Sequence, residues 1–277
     1  MLYYYYSQFH LAASDDPPQR ITGSVGLTVP SLQRIRARAE DARSQLEGTQ
    51  FSIVDDDRDN MMTVTCPWGN IFHLYDITID DDYQSTDGAS QSSQQKMTKM
   101  HGEGGIYGPH RMAVRGGQGI RYVEIACRMG AADAIAKFYE MLGCHVTRTN
   151  TVPTTTTECK VEVAIVCVGP GVHMFFSESE QLSNDIVKQM EGVHACIYIP
   201  NFQQTYNTLK ERNLIWTNPR FTHLDSCDTW EQAFASRTFR FKDVLDISNG
   251  EKLLEFEHET RPLMHGQYMK VPPYVAN

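Results

Sequence analysis

The chain has 277 residues, of which 41% are hydrophobic and 21% charged, and its formal net charge is −9. This composition is typical of a soluble globular protein with one large or two smaller domains, and it excludes collagen, coiled coil and wholesale disorder. The acidic balance argues against nucleic-acid or membrane-surface binding, and no run of about 18 apolar residues is present to span a bilayer. The seven cysteines contain no CxxC pair, which favours free thiols in a reducing compartment, so we expect a cytoplasmic protein.

The first 80 residues predict one complete structural unit preceded by a single strand. The opening YYYYSQFHL alternates like a strand, and SVGLTV predicts the next one. A helix over SLQRIRARAEDARSQLEG and three strands, FSIVDD, MMTVTCP and NIFHLYD, complete the order β-α-β-β-β. Because no helix or opening strand precedes YYYYSQFHL, we expect the chain to begin inside an earlier unit.

The segment 81–119 differs in character from its surroundings. Its first half is polar and its second half is rich in Gly, without an apolar period or a complete GxGxxG or GxxxxGK[ST] motif. We interpret it as a linker and expect no phosphate-binding loop there.

The order β-α-β-β-β is predicted twice more after the linker. The second unit combines RYVEIAC, the helix AADAIAKFYEMLG closed by Gly143, and the strands CHVTRT, CKVEVAIVCVG and HMFFSES. The third combines HACIYI, a helix capped by Asn201, and the strands LIWTN, RTFRFKDVLDI and KLLEFEHE. The repetition of the whole unit along the chain is informative about the fold, even though each strand alone is a weak signal.

The repeated unit resembles the vicinal oxygen chelate superfamily, which includes glyoxalase I, bleomycin-resistance proteins and extradiol dioxygenases. The resemblance is carried by HACIYIPNF, YVEIACRMGAADAIAKFYEMLG, PWGNIFHLYD and NGEKLLEFEHE. It implies an α+β fold in which tandem βαβββ modules form half-open barrel sheets, with an incomplete N-terminal domain. The corresponding domains are an N-terminal domain over 1–80, a linker over 81–119, a two-module C-terminal domain over 120–262 and a tail over 263–277.

The resemblance also implies a divalent metal ion, either Fe, Mn, Ni, Co, Zn or Mg, held in the cup of the curved sheet. Carried over position by position, its ligands are Glu124, His194 and Glu255. A carboxylate that is not committed to the metal, Glu178 or Glu257, would move a proton. Strand alternation agrees, because it separates Glu255 and Glu257 from the apolar side of their strand.

The unit before the linker departs from this pattern. It has Ser24 where the opening-strand ligand is expected, whereas His73 matches the closing-strand position. His258 would provide a second His ligand only if its strand slipped by one residue, which would bury Glu255 among apolar side chains.

Each candidate residue also has a purely structural interpretation. Glu124 could be satisfied by a salt bridge to Arg121 or Arg240, and His194 by a backbone carbonyl. Glu178 could simply lie at the surface, since an isolated carboxylate is usually solvated.

Three functions remain open from the sequence. The first is a metal-dependent enzyme of isomerase, lyase or epimerase type, or a dioxygenase-like one, that acts on a small oxygen-chelating substrate. The second is a metal-free small-ligand-binding module of the bleomycin-resistance type. The third is a non-catalytic scaffold, for which unpaired opening strands would favour a homo-oligomer.

Overall fold

The computed structural model describes residues 2–4, 7–9, 17–29, 31–56, 61–76, 119–150, 161–169, 172–182 and 190–266. The predicted linker, apart from its last residue, and the end of the tail, with His10 and Cys159, lie outside these residues. Among the described residues, no helix is both long and apolar enough to cross a membrane.

Three modules follow a short N-terminal hairpin, and all three begin with a strand and then a helix. The hairpin consists of β1 (Leu2–Tyr4) and β2 (Ser7–Phe9). Module A, residues 24–76, contains β3 (Ser24–Val29), α1 (Leu32–Ala42), a 3-10 turn (Arg43–Leu46), β4 (Ser52–Asp56), β5 (Met61–Thr65) and β6 (Ile71–Asp76).

Modules B and C lie beyond the linker. Module B, residues 119–178, contains β7 (Gly119–Cys127), α2 (Ala132–Met141), β8 (Val146–Thr149), β9 (Val163–Gly169) and β10 (Val172–Glu178). Module C, residues 194–262, contains β11 (His194–Ile199), α3 (Phe202–Glu211), α4 (Thr222–Asp225), α5 (Trp230–Ser236), β12 (Phe239–Leu245) and β13 (Lys252–Pro262).

The strands form one large sheet and one small sheet besides the hairpin. The large sheet has the order β4-β5-β6-β3-β7-β10-β9-β8, and the small one has the order β11-β13-β12. In every module the first strand runs parallel to the last, which requires the helical crossover that the sequence predicts. The predicted α+β fold of βαβββ modules on a curved, unclosed sheet is confirmed.

The joining of modules differs from the domain arrangement expected from the sequence. β3 pairs antiparallel with β7, so modules A and B share the eight-stranded sheet and module C has its own sheet. The expected arrangement had placed modules B and C together. Strand periodicity specifies which face of a strand is buried but not which edge pairs with which, and a linker of about 40 residues permits either arrangement. The residue boundaries of the domains stay a prediction.

Two predicted strands also differ from the structure. The opening segment forms the hairpin β1–β2 instead of a single strand. The segment LIWTN forms no strand, although the Trp216 backbone N–H donates to the Arg240 carbonyl at 2.8 Å beside β12. Module C therefore has three strands where modules A and B have four each.

The hydrophobic cores lie on the helix side of the sheets. Leu32 of α1 packs on Val25 and Leu27 of β3, and the predicted apolar stripe of α2 packs on Ile125 and Phe176. The α2 core continues into module C, where it includes side chains of α3, β12 and β13. This shared core fixes module C against module B, and it leaves the other face of the large sheet to form a site.

Candidate functional site

One face of the large sheet carries none of the helices in the described part of the chain, and we call it the cup face. It carries Ser24, His73, Tyr122, Glu124 and Phe175, since the strand register aligns Gly26 with both His73 and Tyr122, and Glu124 with Phe175. Ser24 is two residue pairs beyond Gly26 along the antiparallel ladder, opposite Glu124 and therefore on the same face. The cup face thus joins first and last strands of modules A and B.

Glu124 is the carboxylate at the junction of the two modules. Its Oε2 accepts a hydrogen bond from the Ser24 hydroxyl at 2.6 Å, and its Oε1 accepts one from the Ser177 hydroxyl at 2.9 Å. Both serines are buried, whereas Glu124 is partly exposed. Gly23 makes room for it, because a Cβ there would lie 2.4 Å from the Glu124 carbonyl oxygen and 2.9 Å from its Cγ. Two neutral donors therefore orient the carboxylate and leave part of it accessible.

Tyr122 crosses from module B to module A on the same face. Its ring passes over Gly26, where a Cβ would meet the ring at 2.1 Å, and its hydroxyl lies 2.7 Å from His73 Nδ1. The ring also stacks on Phe175, with centroids 4.6 Å apart. Burial lowers the pKa of His73 to about 4, so the imidazole that shares this hydrogen bond is neutral near pH 7.

Arg121 lies next to this pair, where β7 bulges against β3. Its Nε donates to the Thr28 hydroxyl at 2.6 Å, and its guanidinium lies 4.2 Å from the centre of the Tyr75 ring. The bulge turns Arg121 and Tyr122 towards the same side of the sheet. The expected alternative of a salt bridge from Glu124 to Arg121 or Arg240 is not the arrangement found, because serine hydroxyls satisfy Glu124.

The corresponding face of module C is closed by an ion-pair cluster around Arg240, a residue only 3% exposed. The guanidinium donates to Asp225 Oδ2 at 2.7 Å, Glu257 Oε1 at 2.8 Å and Glu259 Oε2 at 2.8 Å. Asn218 adds a hydrogen bond to Glu257 at 3.0 Å. The segment that carries Asn218 and Asp225 therefore covers this face of the sheet.

The three predicted metal ligands are not brought together. Glu124 lies on the large sheet, whereas His194 and Glu255 lie on the small one. His194 is exposed, and its Nδ1 contacts the Gly192 carbonyl at 3.4 Å. Glu255 is exposed and bonds to Lys242 at 2.9 Å and to Lys252 at 2.8 Å. These two lysines hold the pKa of Glu255 below its usual range, with the hydrogen bond from Lys252 as the largest cause.

The two carboxylates predicted to move a proton are engaged in structural contacts. Glu178 points to the helix side, where its Oε1 accepts a hydrogen bond at 3.0 Å from the Ala132 backbone N–H at the start of α2. It therefore binds the positive end of a helix dipole on the side of the sheet opposite Glu124. Glu257 is held by Arg240 and Asn218 as described above.

The residues that the structure describes do not fit the divalent metal that the resemblance implies. Within the described ranges, no three His, Cys, Asp or Glu side chains are grouped so that they could hold an ion. On the cup face, the ring nitrogen of His73 that lies nearest to module B is hydrogen-bonded to Tyr122, and Phe175 stands where a further donor would be needed beside Glu124. Zinc sites in proteins, for example, use three or more protein donors.

Several residues of this site escaped the analysis of the sequence. In the sequence, Ser177 and Tyr122 have the pattern of ordinary strand residues. Only the register of β7 with β10 and β3 shows that Ser177 faces Glu124 and that Tyr122 faces His73. One signal could have been used: Tyr122 and Glu124 are two residues apart on one strand, so they share a face. The predicted placement of Phe256 and His258 on the core side of β13 agrees with the structure, where both are buried in or against the α2 core.

A small cleft at the junction of modules B and C offers little chemistry. It is lined by Leu142, Cys144, Cys167, Ile197 and Pro200 among other residues. Burial raises the pKa of the Cys144 thiol to about 12, so the reactive thiolate is absent near pH 7.

Comparison with known proteins gave structural likenesses only. No protein-family model matches the chain, and no curated protein matches it. A single-residue variant of glyoxalase I from Zea mays is 12% identical with a TM-score of 0.39, over 87% of this chain and 66% of that one. The halotolerant catechol dioxygenase BphC is 8% identical with a TM-score of 0.36, over 89% and 67%. Methylmalonyl-CoA epimerase from Streptomyces coelicolor is 12% identical with a TM-score of 0.30, over 60% and 99%.

These solved proteins belong to the superfamily that the sequence resembles. The βαβββ modules on a curved, unclosed sheet are the fold that the resemblance implies. It spans slightly less than two thirds of the length of the maize protein. At this level of identity the likeness concerns the fold, and the function has to be argued from the cup face itself.

Proposed function

We propose that the protein binds a small organic molecule on the cup face and that it does so without a metal ion. The observation that carries this proposal is the environment of Glu124, a partly exposed carboxylate whose two oxygens are oriented by Ser24 and Ser177. Such a carboxylate is a preorganised acceptor for donors of a ligand, because its position does not have to be fixed at the time of binding.

Module A adds exposed apolar side chains and threonines to the cup face beside Glu124. Ile71 is paired with Ser24 across the sheet and is 38% exposed. Val54 is paired with Thr63, which is itself paired with His73, and Val54 is 60% exposed. Thr63 and Thr65 stand between them and are partly exposed. Apolar side chains beside a few fixed polar groups are typical of sites for small molecules.

The metal-free interpretation is favoured over the metal-dependent enzyme because side chains that could bind a metal already form hydrogen bonds within the protein. On the described part of the cup face stand the carboxylate of Glu124 and the imidazoles of His73 and His173. Nδ1 of His73 already pairs with Tyr122, and His173 is only 7% exposed. Ligand sequestration needs only shape and a few polar contacts, which these residues supply.

The proposal can be tested by titrating a neutral aromatic probe, benzyl alcohol, in the presence of EDTA and following the backbone amide signals of the labelled protein. We expect shifts at residues 24, 73 and 124, and we expect Ile71→Trp to abolish them by filling the cup rim. The matched control is Leu224→Trp, because Leu224 is 68% exposed on module C, away from the cup face. If the shifts require added metal, or if both variants behave alike, the proposal is wrong.

A further inference from the structure

We propose that the ligand of the cup face is an organic cation, with an ammonium, amidinium or guanidinium group that pairs with Glu124. This inference rests on the proposed function and specifies the class of its ligand. The juxtaposition that carries it is a carboxylate oriented by two buried serine hydroxyls with no cationic partner among the described residues.

The two serine contacts of Glu124 leave room for a further partner. The hydroxyls of Ser24 and Ser177 stabilise the carboxylate but do not neutralise it, and each carboxylate oxygen has a further lone pair that can accept a hydrogen bond. In the part of the chain that the structure describes, no Arg, Lys or His side chain forms an ion pair with Glu124. A cation supplied from outside would pair with this carboxylate and complete the site.

Two basic side chains on this part of the sheet are engaged elsewhere. Arg121 binds the Thr28 hydroxyl and covers the Tyr75 ring. His73 binds Tyr122, and its buried imidazole is neutral near pH 7. Neither therefore supplies the positive charge that Glu124 lacks.

Module C shows how this chain treats carboxylates on the equivalent face. There Glu257 and Glu259 project from β13, and the protein supplies its own guanidinium, that of Arg240, within 2.8 Å of each. Asp225 completes the surroundings of that guanidinium at 2.7 Å. The same fold thus has an internal cation in module C, whereas on the cup face the place beside the carboxylate is left to a ligand.

An organic cation fits this place better than a metal ion does. One carboxylate can pair with an ammonium or bind a guanidinium in bidentate fashion, whereas a metal needs several donors that converge on one point. The apolar side chains Val54 and Ile71 can contact the hydrocarbon part of the ligand.

The test compares benzylamine and benzamidine with benzyl alcohol, which has a similar shape and no charge. Binding is measured by amide shifts at residues 24, 124 and 177, in EDTA, for the native protein and Glu124→Gln. We expect the cations to bind roughly tenfold more tightly than the alcohol, and Glu124→Gln to remove this preference, so that the amine and the alcohol bind the variant alike. The control is Glu255→Gln, since Glu255 is exposed on the small sheet and paired with Lys242 and Lys252.

A second measurement on the native protein does not depend on the folding of a variant. Raising the NaCl concentration should weaken benzylamine binding and leave benzyl alcohol binding unchanged, because salt screens the charge pair alone. Equal affinities for the amine and the alcohol, with shifts on the cup face for both, would overturn the cation inference and leave the proposed function standing. Loss of all cup-face shifts would overturn the proposed function itself. Mn²⁺-induced broadening centred on residue 124 and reversed by EDTA would replace the organic cation with a metal.

Discussion

Tyr139 and His258 are hydrogen-bonded across 2.7 Å in the middle of the shared core, and this contact ties α2 of module B to β13 of module C. Both side chains are fully buried, and the His258 ring stacks on Phe241 with centroids 4.2 Å apart. A polar pair in an apolar core must be formed completely, because each partner that loses the other carries an unsatisfied group. The position of module C against module B therefore depends on this pair as well as on apolar contacts.

The buried histidine predicts a pH-dependent stability. Burial lowers the pKa of His258 from 6.5 to about 3, whereas the unfolded chain has the ordinary value. Above pH 6.5 the ring is neutral in both states and contributes no pH dependence. Below it only the unfolded chain takes up a proton, so the free energy of unfolding falls as the pH decreases towards 3, by at most about 1.4 kcal/mol per pH unit.

Urea denaturation between pH 4 and 7.5 measures this effect. His258→Gln should reduce the slope below pH 6 by about 1 kcal/mol per pH unit, while His73 still contributes to the remaining slope since its pKa is lowered to about 4. His194→Gln is the control because His194 is exposed. Equal slopes for the native protein and His258→Gln would contradict the assignment.

The helix of module B shows which features were predictable from the sequence. Its apolar residues Ile135, Phe138 and Tyr139 recur at three and four positions and are buried, and Gly143 follows with a φ of 85°. These are local patterns, because a helix face and its left-handed stop depend on residues within a few positions of each other. The alternation in β13 is local for the same reason.

The candidate site depended on contacts that local patterns do not contain. Ser24 and Glu124 are 100 positions apart and meet only because β3 pairs with β7. Arg240 binds Asp225, which lies on a short helix in a segment that the sequence assigned to no element. Pairing of strand edges depends on the global arrangement, and the same alternation in β3 would suit several partners.

Gly26 predicts a test of the Tyr122–His73 pair. In Gly26→Ala the new Cβ would clash with the Tyr122 ring, because it would lie 2.1 Å from the Cε1 atom of that ring. The ring must move, and we expect a loss of about 1–3 kcal/mol in the free energy of unfolding. We also expect the pKa of His73 to rise towards 6.5, measured by NMR titration, because water reaches the imidazole. Gly266→Ala is the control, since no atom lies within 4 Å of its added Cβ, and unchanged stability in Gly26→Ala would contradict the close approach.

Arg240 predicts the largest loss of stability. Arg240→Met would leave Asp225, Glu257 and Glu259 facing one another without a cation, and removal of one partner of a buried ion pair costs about 3–5 kcal/mol. Arg220→Met is the control because Arg220 is exposed. The difference in urea midpoint should shrink at acidic pH, where the remaining carboxylates can take up protons. A loss below 1 kcal/mol would mean that the cluster is solvated and that module C is open.

Substitutions of Glu178 distinguish a structural role of this residue from the proton-transfer role that the resemblance implies. Because its carboxylate accepts the Ala132 N–H at the start of α2, Glu178→Ala should lower the free energy of unfolding by about 0.5–2 kcal/mol. Glu178→Gln keeps an acceptor oxygen and should lose less than half of that. Since Glu178 lies on the side of the sheet opposite Glu124, neither variant should change the affinity for benzyl alcohol or benzylamine. Glu180→Ala, at an exposed position next to β10, controls for loss of a nearby negative charge. A weakened affinity in Glu178→Gln with unchanged stability would show instead that Glu178 acts on the ligand.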